Sequence, residues 1–204
     1  MTQLFPSASE LAEHARVRPD FAAWQRGYGP LQHSPQTWAA VYRLAHQLVQ
    51  AGQQADLATV YRHFYALDRL TAVGLWLVVH MTYARRVRLD GVALAAEDFK
   101  VTPEGHTGGA LNMVPAYAGY LALNNLTGET RGWLMGQGHC VAAIEALNLL
   151  TANQQPEKAD RYNSEESGMS QLVEDFYSYA QNAAGQVSAP LGSHVNPHTA
   201  GGIA

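Results

Sequence analysis

The sequence predicts an α/β fold, part of a parallel sheet flanked by helices behind an N-terminal helical extension, on three observations. A glycine-rich turn at residues 105–109 passes into Ala, Leu, Met and Tyr at helical periods as far as Leu126. After a turn at Thr127, Gly128 and Glu129, the run Arg131-Gly132-Trp133-Leu134-Met135 is short and apolar enough for a buried strand. The loop Gly136-Gln137-Gly138-His139-Cys140 then leads into a second helical stretch through Ile144, Leu147 and Leu150. Loop, helix, strand, loop, helix is the order of an α/β unit.

The extension covers residues 1–55 and the domain proper 56–204. A short helix is expected at residues 8–17, followed by an ordered loop punctuated by Gly27, Gly29, Pro30 and Pro35. From Thr37, the positions Trp38, Val41, Leu44, Ala45, Leu48 and Val49 trace one helix face, and Gly52 stops it. Asp56 can cap a further helix through Leu57, Val60, Phe64 and Leu67, with helical structure resuming over 70–79 after a break near Asp68. Arg85, Arg86 and Arg88 read as a solvated helix end. Residues 151–168 are polar and expected as an exposed loop, helix returns over 169–184, and 188–204 are rich in Pro and Gly. Trp38, Tyr42, Phe64, Tyr65 and Trp76 are assigned to core, and His33, His46, His63 and His80 to structural or surface roles.

Composition narrows the function classes. The chain has 204 residues, 47% of them hydrophobic and 15% charged, enough to bury a core. A formal charge of -4 with 13 scattered Lys and Arg gives no electrostatic reason for a nucleic-acid or anionic-membrane partner. Cys140 is the single cysteine, so no internal disulfide forms, and a cytoplasmic setting is expected. The N-terminus lacks the apolar core of a secretory signal, and the apolar stretch 70–81 is too short to span a bilayer. No membrane association is expected.

Three histidines stand among small residues: Gly105-His106-Thr107-Gly108-Gly109, Gly136-Gln137-Gly138-His139 and Gly192-Ser193-His194. Glycine lets backbone approach a ligand, and histidine exchanges protons near neutral pH, so these patterns together suggest the floor of a polar pocket. His139 directly follows the expected strand, at the sheet edge where α/β folds bind ligands.

The segments GHTGGALNMVPAYAGYLALNNLTG and RGWLMGQGH resemble the transketolase superfamily, and within it the phosphoketolases. Gly105-His106-x-Gly108 followed by Leu111-Asn112 matches that family's first histidine loop, and Gly136-x-Gly138-His139 its second. Gly192-Ser193-His194-Val195-Asn196-Pro197 resembles its Ser-His-x-x-Pro segment, and Tyr65 through Gly74 the helix before the first loop. Gly109 and Ala110 depart from the hydroxyl residues usual there, and Cys140 from a glycine. The likeness covers roughly residues 61–204.

The resemblance implies a lyase of pentose phosphate metabolism that uses thiamine diphosphate and Mg2+ to cleave xylulose 5-phosphate or fructose 6-phosphate with inorganic phosphate, giving acetyl phosphate. His106, His139 and His194 would be catalytic and, with Ser193, would bind substrate; Gly105, Gly108, Gly136 and Gly138 would line the cofactor. Family members are homo-oligomers. The Gly-Asp-Gly segment that holds their magnesium does not occur in this sequence, so residues 56–204 are expected to be an incomplete thiamine diphosphate-binding domain, the front part of such an enzyme and inactive alone. The rival readings are a transketolase-like enzyme and a noncatalytic binding or assembly module. A metal site at His194 and His198 is opposed by Pro197 between them.

Overall fold

A computed structural model describes residues 5–132, 140–178 and 181–186. The expected parallel sheet is not there: the described residues are 63% helical and include no strand, and isolated bridges pair Tyr28 with Leu31 and Ala84 with Phe99. The helices are α1 (Ala8–Val17), α2 (Pro19–Gln25), α3 (Pro35–Gln50), α4 (Leu57–Tyr83), α5 (Thr107–Thr127), α6 (Val141–Leu150), α7 (Pro156–Ala159) and α8 (Glu166–Asp175), with a 3-10 turn at Ala96–Asp98. The α/β expectation rested on one five-residue run. Its first residues, Arg131 and Gly132, are exposed and irregular, and Trp133, Leu134 and Met135 lie outside the described residues. That run contains a glycine and no β-branched residue, whereas the long Leu- and Ala-rich segments on either side have the length and composition of buried helices.

The chain divides into two compact units, residues 1–72 with 118–132, and 73–117 with 133–204. In the first, Ser7 and Glu10 form a reciprocal capping box on α1, Pro19 opens α2, and Ser34 caps α3 by accepting from the Thr37 N–H (3.3 Å). Phe21, Trp24, Ala45, Leu48, Val60 and Tyr61 form its core, joined by Leu126 from the end of α5. His14 sits in this core, paired with the Tyr61 hydroxyl at 2.9 Å and edge-on to Phe21 and Tyr42.

Helix α4 runs without the expected break at Asp68. That carboxylate, 5% exposed, pairs with His33 Nε2 at 2.7 Å, and the His33 ring stacks on Trp24. A carboxylate that suggested an interruption is instead hydrogen-bonded from the 27–34 loop, so the helix continues. At 27 residues α4 is long and apolar enough to cross a membrane by length and composition, beyond what the stretch 70–81 suggested. Here Val60, Tyr61, Leu77, Val78 and Met81 are fully buried, as in a core helix.

In the second unit, α4, α5 and α6 meet where Gly74 has no side chain: a methyl there would press on Leu147 Cδ2 (2.9 Å) and Val114 Cγ1 (3.0 Å). The Tyr117 hydroxyl donates to Asn148 across α5 and α6. The expected loop at 151–168 contains α7, and the expected helix over 169–184 is α8, which starts earlier and ends at Asp175. Asp175 accepts from Arg161, from the Tyr162 hydroxyl (2.8 Å) and from Gln171 (3.0 Å), tying that helix end to the 160–162 turn. Arg85, expected in solvent, pairs with Glu174 at 2.9 Å, though both remain about half exposed and the pair is worth little.

Candidate functional site

The loop before α5 is shaped by two constraints at Gly105. Its φ of 125° lies where side-chain-bearing residues are strained, and a Cβ there would press on the Phe176 ring (3.0 Å) and Thr82 Oγ1 (3.3 Å). The next residue, His106, is exposed and caps the helix: the Gly109 N–H donates to its Nδ1 (3.0 Å), and the Ala110 N–H donates to its carbonyl (3.0 Å). The Thr107 hydroxyl donates to Thr82 Oγ1 (3.1 Å), which in turn donates to the Val78 carbonyl (3.3 Å), so the loop is fastened to the last turns of α4.

Beneath the loop, Lys100 Nζ donates to the Met81 carbonyl (2.8 Å) and the Phe176 carbonyl (3.0 Å), joining the ends of α4 and α8 with one cation. Burial pulls its pKa down to about 8, and Glu174 and Glu104 only partly offset that. Tyr177 follows in the left-handed region (φ 59°), and burial raises its hydroxyl pKa.

Among the described residues, nothing lies within 4 Å of where a Gly108 side chain would begin. Gly109 is the opposite case. A methyl there would collide with His106 Nδ1 and with Cys140 Sγ (2.6 Å), so an imidazole from one histidine motif and the thiol that ends the next converge on a single backbone position. Cys140 is 2% exposed, and burial raises its pKa, which makes it an inert packing group rather than a nucleophile.

Of the residues singled out from the sequence, His106, Gly105 and Gly108 stand together on this loop. His139, Gly136 and Gly138 of the second motif, and Ser193, His194 and His198 near the C-terminus, lie outside the described residues. Among the described residues no group of three His, Cys, Asp or Glu could hold a metal ion.

Sequence reasoning missed the His33–Asp68 pair and the Lys100 bridge. His33 and Asp68 are 35 residues apart, and Lys100 lies 19 and 76 residues from its two acceptors, so no local spacing announces these contacts. It also missed an open cleft of about 550 Å³ lined by Arg86, Glu165, Glu166, Ser167 and Ser170. Its polar groups are partly used for structure: Ser170 Oγ accepts from the Val87 N–H (3.1 Å), and Glu166 accepts from the Leu89 N–H (2.8 Å).

No protein family, curated protein or solved structure matches this chain.

Proposed function

We propose that the chain serves a thiamine diphosphate-dependent phosphoketolase reaction in the cytoplasm, cleaving xylulose 5-phosphate or fructose 6-phosphate with inorganic phosphate to acetyl phosphate and an aldose phosphate. One observation carries the reading: His106 and Cys140, the neighbour of His139, flank the same Gly109 backbone, as expected if two glycine-histidine motifs far apart in sequence serve one site. When bound, the cofactor would supply the carbon nucleophile and electron sink that proteins lack. The chain's own part is narrower. His106 would bind a substrate oxygen, with His139 and His194 completing the set that moves protons between hydroxyl and carbonyl groups, and Ser193 assisting in binding.

Acetyl phosphate formation by the full-length enzyme, measured with either ketose phosphate, inorganic phosphate, thiamine diphosphate and Mg2+, tests the reading. His106→Ala should lower turnover about 10²–10⁴-fold, the usual range for loss of one acid-base group. Turnover equal to wild type would remove His106 from the mechanism, and transfer of the ketol to an aldose acceptor would mark a transketolase instead.

A noncatalytic assembly module is the second reading. It is favoured by the exposed side chains of Tyr83, Phe99 and Val101, which the Ala84–Phe99 bridge and the Lys100 N–H to Tyr83 carbonyl bond bring to one edge. Sedimentation that shows a concentration-dependent dimer, together with no acetyl phosphate from the full-length enzyme, would favour it.

A further inference from the structure

We infer that His14 is an acid-sensitive latch: while neutral it accepts the Tyr61 hydroxyl proton and holds α1 onto its neighbours, and once protonated it releases α1 while the rest of that unit stays folded. The inference is independent of the phosphoketolase reading. Tyr61 is fully buried, and among the described residues its hydroxyl has only His14 as a partner, with Nε2 at 2.9 Å. A buried hydroxyl needs an acceptor for its proton, so the bond runs from Tyr61 to Nε2, and the ring proton of neutral His14 sits on Nδ1. Protonation puts a second N–H at Nε2. The bond must then run the other way, which leaves the Tyr61 proton buried without an acceptor.

The new cation is also poorly matched by its surroundings. The rings of Phe21 from α2 and Tyr42 from α3 flank it, with centroids 5.0 and 4.7 Å away. His46, also from α3, lies 5.6 Å off and gives its Nδ1–H to the Tyr42 carbonyl (2.8 Å). Arg18, just past α1, adds a positive charge, and the anion that acts on the ring, Asp20 of α2, is already held by Arg18 at 2.8 Å. From α4 the facing group is Tyr61 itself, whose pKa burial raises, so it supplies no charge. Glu10 and Glu13 on α1 are bonded to Ser7 and Arg16, which keep both below the usual carboxylate value. Burial, joined by the His46 and Arg18 charges, accordingly holds the His14 pKa below 6.5. Little else fastens α1. It has ten residues, too few for a helix to be stable alone in water, and its apolar anchors are buried Leu11 and partly buried Ala15.

Hydrogen exchange at pH 7.5, 6.5 and 5.5, expressed as protection factors so that the intrinsic pH dependence of exchange cancels, tests the latch. The α1 amides should lose protection as pH falls from 6.5 toward the folded pKa of His14, by up to about tenfold per pH unit, the limit for one proton. The α3 amides should stay better protected than those of α1 at every pH. In His14→Gln, whose side-chain oxygen still accepts from Tyr61 and does not titrate, α1 protection should be level across the range. Tyr61→Phe, which has no hydroxyl to strand, should show a smaller total loss than wild type. Level protection of α1 in the wild type overturns the inference, and so does equal protection of α1 and α3 at every pH, which would mean that they open only together. A wild-type loss in either variant overturns it too. The direction of the bond has its own check: in the 15N-labelled chain at pH 7.5, two-bond 1H–15N spectra should show His14 Nδ1 protonated and Nε2 bare, and the reverse pattern would remove the latch.

Discussion

Position 109 has no room for a side chain. A Cβ there would run into His106 Nδ1 on one side and Cys140 Sγ on the other, and Cys140 is buried and cannot swing into solvent. Overpacking of this kind costs about 1–3 kcal/mol. Gly109→Ser should therefore destabilise the chain, and Cys140→Ala, which removes one of the two obstructing atoms, should return part of the loss. A double-mutant cycle by urea denaturation checks this, and additive effects would show that residues 109 and 140 do not share space. The Gly-His-x-Gly pattern was legible as a loop opening a helix because glycine and a capping side chain are local signals. The crowding of residue 109 by residue 140 was not legible, because it depends on where α6 begins relative to α5.

Among the elements, α4 and α8 depend on a lysine that belongs to neither. Lys100 lies just after the 3-10 turn and donates to the carbonyls of Met81 and Phe176. Its pKa, lowered by burial to about 8, lies below the ordinary value of 10.5. Between those values the folded chain binds fewer protons than the unfolded chain, so this group makes stability rise as pH climbs from about 8 toward 10.5, and the gain is absent below pH 8. Denaturant midpoints measured across that range should rise less in Lys100→Met than in wild type. Parallel pH curves would mean that the ammonium is not desolvated. The Met variant should also be less stable near neutral pH, since two helix-end carbonyls lose their donor. Periodicity placed α1, α3 and α4 well because their apolar faces repeat at helical spacing, and Ser7, Ser34 and Asp56 provide caps. It broke α4 at Asp68 because nothing local indicates that His33 lies opposite.

At the scale of the whole molecule, two half-buried imidazoles contribute to acid sensitivity. Burial lowers the pKa of His14, with the His46 and Arg18 charges adding to it, and burial lowers that of His63 as well. For both groups the folded chain binds fewer protons than the unfolded chain below the ordinary value of 6.5, so the stability they contribute is complete above pH 6.5 and is lost as pH falls through their folded pKa values. Asp68 opposes this lower down, since desolvation raises its pKa against the pull of His33. Denaturant midpoints should therefore drop between pH 7.5 and 5.5, and His14→Gln should flatten the drop; an unchanged slope in that variant would assign the acid sensitivity elsewhere. The sequence by itself determined α1, α3, α5 and α6, the turn that opens α5 and the lack of an internal disulfide, because periodicity, caps and residue counts are properties of neighbours along the chain; α2 and α7 lie where it predicted loops. Tertiary structure decided that the described core is helical rather than built on a sheet, that Asp68 sits inside a continuous helix and that His106 and Cys140 share one backbone neighbour. A strand needs partners to pair with and a buried carboxyl group needs its hydrogen-bond partner, and both are supplied by segments distant in sequence.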